Sequence, residues 1–289
     1  MSPSQQSGPA DQPRPKPLER EEYIEQAYLF QLLHERIADQ IPMQELLEQV
    51  RHELLSTTKL PLAIDFMLTD LKHQGLMGPA MRRLKHYFTP IQSYLIEESE
   101  SETGRFATAT ALQILHVDAK LRSESAKQTT VFFFHFETLC RNRLSYDRAL
   151  NALSGDPVFD ASWARWLSHL RAQVGLVDFA DLMFLASEEY RDQLLSKQLS
   201  VEGKGPFLFG AKEGKIALAN RLKDPLFLFG AMQRHLDYPA VPRPVKPDQT
   251  LELLPQLARR MERLEQRIQL MEQDQRSSLD ISKFYEKPE

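Results

Sequence analysis

TTVFFFHF, residues 129–136, is the stretch on which the fold turns. Threonine, valine and phenylalanine are the side chains of a buried strand. Yet the run passes without glycine or proline into residues 137–153, where Leu139, Leu144, Ala149 and Leu153 fall loosely at helical spacing. With no breaker to divide them, the two segments predict one long helix over 129–153. A mainly α protein follows.

Upstream, the pattern agrees. Residues 19–39 place Tyr23, Ile24, Ala27, Phe30, Leu33 and Ile37 around most of a helical circumference, which predicts a central helix. A second helix follows Pro42, with Met43, Leu46, Leu47, Val50 and Leu54 on one face. A third begins at Pro61 and stops at Gly75, using proline at the start and glycine at the end. Residues 79–88 suggest a fourth, with Met81, Leu84 and Phe88 inward. Thr89-Pro90-Ile91-Gln92 has the form of a capping box with proline at the first helical position, so a fifth starts there. The acidic residues 97–102 read as a solvated connection, and residues 106–121 as a further helix.

Downstream, Asp160 is placed to cap a helix that turns Trp163, Trp166, Leu167, Leu170 and Val174 inward and closes at Gly175. Asp178 opens another, with Phe179, Leu182, Ala186, Tyr190 and Leu194 on its face. Residues 206–211, Pro-Phe-Leu-Phe-Gly-Ala, return at 225–231 with one extra leucine, Leu226. Two copies are too few for a repeat array, which needs about three. The first copy, flanked by Gly203, Gly205 and Gly210, predicts a strand. The second predicts a helix opening at Asp224-Pro225 and carrying Met232 and Leu236.

Near the C-terminus, Leu254, Met261 and Ile268 occupy the a positions of a heptad, and Leu257, Leu264 and Met271 the d positions. The g positions are Arg260 and Arg267, and the following e positions Glu265 and Glu272. A parallel pair sets each arginine against a glutamate, whereas an antiparallel pair sets like against like. Each exposed pair contributes about 0.2–1 kcal/mol, so the charges select orientation rather than supply stability. The seam covers about two and a half heptads, below the usual three or four, and ends where Gln275 and Ser278 take the next a and d places. So short a helix must pair or lie against its own chain.

These readings give a mainly α fold: a multi-helix, bundle-like body with a small glycine-rich β or loop element near 203–220, a proline linker, and a short C-terminal coiled-coil helix. The expected divisions are a polar, proline-containing and disordered leader over 1–18, the body over 19–237, the linker over 238–249, the amphipathic helix over 250–276, and a flexible tail over 277–289. Net charge is −4, which gives no whole-molecule attraction to nucleic acid or to an anionic membrane. A lone cysteine, Cys140, rules out a disulfide framework within the chain and fits a reducing compartment. Residues 1–17 lack the apolar core of a secretory signal, so a cytoplasmic location is expected.

Motifs for chemistry are weak. Gly210-Ala-Lys-Glu-Gly214-Lys215 has three residues where a phosphate loop has four, and Ile216 stands where Ser or Thr would reach magnesium. Glu48 with His52 and Asp70 with His73 each share a helix face, but a di-iron bundle requires two Glu-x-x-His motifs and further glutamates. His116 with Asp118, and His135 with Glu137, are two apart and diverge on a helix. Cys140 reads as a small apolar residue and His135 as a core histidine with one hydrogen bond. The basic clusters Arg82, Arg83, Lys85, His86 and Arg141, Arg143, Arg148 are best explained as a solvated helix face or by internal ion pairing with the surplus acids. No cofactor, metal, nucleic-acid or membrane partner is expected. The function that emerges is a non-enzymatic interaction or assembly protein, homodimeric through a parallel coiled coil and open to another helical partner. The competing reading is a helical enzyme, or a metal- or small-ligand-binding protein, with its site inside the body.

Overall fold

Helix α1 (Arg20–Arg36) is buried along most of its length and packs along α6 (Thr108–Ser123). In this computed structural model the described residues are 16–39, 41–101, 106–243 and, beyond them, Met261 and Ile268. The chain divides into two units, Met1–Arg243 and Pro244–Glu289, parting inside the proline-rich stretch. Among the described residues there are thirteen α-helices, one short 3-10 turn after α1 and no strand. None of the helices is long and apolar enough to cross a membrane.

Local signals govern the ends of most helices. α2 (Met43–Arg51) follows Pro42, and α3 (Leu60–Gln74) carries Pro61 in its first turn. α3 ends at Gly75, whose φ of 70° is the left-handed region glycine enters without cost, and whose N–H donates to the Leu71 carbonyl at 2.8 Å. α4 (Met77–Arg83) starts two residues before the expected place and stops well before Phe88. α5 (Pro90–Ser99) opens on a complete capping box: Gln92 N–H donates to Thr89 Oγ1, and Thr89 N–H to Gln92 Oε1.

The TTVFFFHF stretch lies in α7 (Gln128–Asn142) and is helical. Val131, Phe132, Phe133, Phe134, His135 and Phe136 are all buried, so no amphipathic period survives in the sequence. Phe132 meets Trp163 at 5.4 Å and Trp166 at 5.1 Å, while Phe136 stacks on Phe179 at 4.3 Å. Aromatic pairs at such distances add to the burial of their area. α7 is thus the aromatic centre of the body.

The expected single helix over 129–153 is two. Arg143 adopts φ 53°, which ends α7 with Leu144 N–H on the Leu139 carbonyl, and α8 (Tyr146–Ser154) begins after Ser145. α9 (Ala161–Gln173) and α10 (Phe179–Leu185) open on Asp160 and Asp178, whose carboxylates accept backbone N–H groups as expected.

The helix expected to run on to Leu194 divides as well. Ser187 caps a separate α11 (Glu188–Ser196) by accepting the Tyr190 N–H. The reason is the segment expected as a strand. The Ala186 carbonyl accepts from Leu208 N–H at 2.7 Å and Phe209 N–H at 3.1 Å, and Phe209 returns its carbonyl to Glu188 N–H at 2.8 Å. This is one isolated bridge between Ser187 and Phe209, not a ladder. Residues 203–210 form a strap that carries Phe209 into the aromatic core, and α12 (Ala211–Ala219) follows at once. The second copy begins α13 (Pro225–Leu236), capped by Asp224 as its sequence predicts.

Of the expected acidic break, the described residues 97–101 are not a solvated connection. Glu97 and Glu98 belong to α5, and the Glu100 carboxylate accepts the N–H groups of Met77 at 2.6 Å and Gly78 at 2.8 Å. An acid from one helix thereby caps the start of α4.

Candidate functional site

Asp118, near the end of α6, collects donors from three helices. Its Oδ1 accepts from His135 Nε2 at 2.8 Å and Arg122 Nε at 3.0 Å; its Oδ2 accepts from Arg122 Nε at 2.9 Å and Gln92 Nε2 at 3.0 Å. Arg122, one turn on, sends Nη1 and Nη2 to the two oxygens of Asp156, at 3.0 and 2.8 Å. Asp156 also accepts the N–H of Val158, which fixes the turn after α8. All four ionisable groups, Asp118, Arg122, His135 and Asp156, are buried.

The network continues through neutral groups. Gln92 Nε2 also donates to Gln26 Oε1, Gln26 Nε2 to the Tyr87 carbonyl, and Tyr87 Oη to Glu22. Glu22 in turn accepts the Lys59 N–H at the start of α3. One connected set of polar groups therefore joins α1, α3, α5, α6, α7 and the turn at Asp156.

Its electrostatics favour holding over reacting. Burial works to raise the Asp118 carboxyl, but the Arg122 guanidinium and the His135 ring prevail and keep it below the ordinary carboxylate range. Burial likewise works against the charge on Arg122, and the two aspartates outweigh it, raising its pKa further. A carboxylate with its lone pairs occupied and its acidity increased makes a poor proton acceptor. His135 Nδ1 is the exception: buried and with no hydrogen-bond partner among the described residues.

Arg122 also lines an open cleft of about 380 Å³, together with Tyr23, Arg20, Lys127 and Gln128. A second, mainly apolar cavity of about 290 Å³ contains Cys140, Tyr146, Phe179 and Pro225. There burial pushes the Cys140 thiol up to about 11, although Tyr146 Oη donates to Sγ at 3.4 Å. Like the expected small apolar residue, Cys140 sits against the core.

The carboxylate–histidine pairs are not gathered into a site. Glu48 faces Lys72 at 3.8 Å, and Asp70 is held by Arg83 at 2.8 Å. Among the described residues no three His, Cys, Asp or Glu side chains lie together as metal ligands would. His116 and Asp118 diverge: His116 Nδ1 bonds the Ala27 carbonyl at 2.8 Å, across to α1. The basic clusters meet acids in part. Arg82 pairs with Glu97, Arg83 with Asp70, Arg141 with Glu137 and Arg148 with Glu98.

Sequence reasoning foresaw the single hydrogen bond of His135 but not its partner. Asp118 and Arg122 are four apart, a spacing that pairs side chains on a helix, whereas nothing in the sequence ties Asp156 to either of them. Of the heptad seam, Met261 and Ile268 are helical and 61% and 52% exposed. Leu254, Leu257, Leu264 and Met271, with Arg260, Glu265, Arg267 and Glu272, lie outside the described residues.

No family model, curated protein or solved structure matches the chain.

Proposed function

We propose that the protein is a non-enzymatic interaction or assembly protein of the cytoplasm that forms a homodimer through a parallel C-terminal coiled coil. The observation that carries this reading is the exposure of two seam residues. Met261 and Ile268, both at a positions one heptad apart, are helical and more than half exposed in the single chain. Two large apolar side chains left to water one heptad apart favour association. The g-to-e pairing of Arg260 with Glu265 and Arg267 with Glu272 favours the parallel arrangement, and the same seam would suit another helical protein with a matching one.

The interior of the body supports a binding role over catalysis. Asp118 and Arg122 are saturated by one another and by their neighbours, and the Cys140 thiol is kept protonated at neutral pH.

Light scattering on the full chain tests the reading. A mass of twice 33.4 kDa is expected. Leu264→Lys, which puts an unpaired charge into the apolar seam, should return the mass to that of one chain. A full-length protein that scatters as a monomer across the accessible concentration range would remove the basis for an assembly role.

A further inference from the structure

Helix α9 directs Arg165, Trp166 and His169 to one side of a cavity of about 370 Å³ that is separate from the ionic network. Lys204, Gly205 and Pro206 form the facing wall, and Leu182 and Ala186 lie between. Arg165 and His169 are four residues apart on a helix, so they share a face one turn apart. Trp166 is 6% exposed and is held edge-on by Phe132 at 5.1 Å, Trp163 at 5.6 Å and Phe209 at 5.1 Å. The facing wall is anchored just beyond Pro206, where Leu208 and Phe209 donate to the Ala186 carbonyl. Both walls therefore rest on packed elements, as a preformed site requires.

The charged and titratable side chains that line this cavity are all basic. No carboxylate lines it. The protein is acidic overall, and its other arginines repeatedly find acids, as at Arg122, Arg141 and Arg148. Arg165 instead donates only to the Ala161 carbonyl of its own helix, and neither Lys204 nor His169 has an ion-pair partner among the described residues. Three basic side chains beside a largely buried indole, in a cavity of the size that takes small ligands, match a molecule with an anionic head and an apolar remainder.

We propose that this cavity binds a small organic anion. Its carboxylate or phosphate lies among Arg165, His169 and Lys204, and its ring or short chain lies against Trp166, Leu182 and Pro206. The guanidinium offers paired donors to either oxyanion, and the ammonium adds a point charge. This site does not depend on the dimer and stands or falls separately from it.

Trp166 supplies the readout, since the chain has two tryptophans and this one forms a wall of the cavity. Full-length protein would be titrated with benzoate, phenyl phosphate and, as the neutral counterpart, benzyl alcohol, following tryptophan fluorescence and heat. Saturable binding of at least one anion and none of benzyl alcohol is expected, and the preferred anion identifies the head group. The double variant Arg165→Gln, Lys204→Gln, at exposed positions, should fold with unchanged circular dichroism and bind roughly tenfold more weakly or worse. Should that variant not fold, Lys204→Glu alone must weaken binding in the same direction. The proposal is overturned by no saturable response to either anion, by equal binding of benzyl alcohol, or by charge variants that bind as tightly as the natural chain.

Discussion

Arg122 and Asp156, 34 residues apart in sequence, meet as a two-pronged pair with both nitrogen–oxygen distances at or below 3.0 Å and both side chains almost wholly buried. A guanidinium removed from solvent is tolerable only while its carboxylates remain. Asp156→Ala should therefore lower unfolding stability by about 3–5 kcal/mol, read from urea titration. Asp156→Asn keeps an oxygen for the Val158 N–H, so a loss of the same size in both variants would assign the effect to the ion pair.

Acid should dismantle the network from Asp118. Burial opposes its charge, but Arg122 and His135 overcome this and place its folded pKa below the ordinary value. Its contribution is complete above the unfolded carboxylate value of about 3.9 and is lost as pH falls from there toward the folded value. Urea stability measured between neutral pH and strong acid should show this decline. Asp118→Asn, though less stable at neutral pH, should show a shallower one.

Cys140 should be slow. With its thiol pushed up to about 11 by burial, little thiolate is present near pH 8 in the folded chain. Reaction with a chromogenic disulfide should be much slower than in denaturant, and should accelerate as the pH is raised.

Gly214 lies at a close approach between α12 and the start of α11. A Cβ built there would lie 2.7 Å from Glu189 Cβ and 2.8 Å from Ser187 Cβ. Gly214→Ala should improve intrinsic helix propensity yet destabilise the protein, by about 1–3 kcal/mol as overpacking does. A thermal midpoint equal to or above that of the natural chain would show that α12 can shift outward.

The extent to which the chain could be read in advance follows the range of each interaction. Thr89, Asp160, Asp178 and Asp224 satisfy N–H groups two or three residues away, so their helix starts are written locally. The stop at Gly75 is equally local. The break at Arg143 has no glycine to announce it, and the division at Ser187 exists because Phe209 docks there from more than twenty residues downstream. Alternating Phe207 and Phe209 resemble a strand, but only one bridge forms. Glu100 reads as surface acid until α4 is seen to need its cap. The ionic network was hidden for the same reason: Gln92, Asp118, His135 and Asp156 are distant in sequence and adjacent only after four helices have packed.

The union of Arg122 with Asp156 also bears on how the chain is made. On a ribosome the nascent polypeptide releases Asp118 and Arg122 before Asp156 has been added, so the guanidinium waits with half of its counter-charge. The first six helices can collapse together during that interval, but with Arg122 short of one carboxylate their assembly is less stable than in the finished fold. The nascent chain is therefore expected to stay more open to chaperones and proteases until the turn after α8 has cleared the exit tunnel.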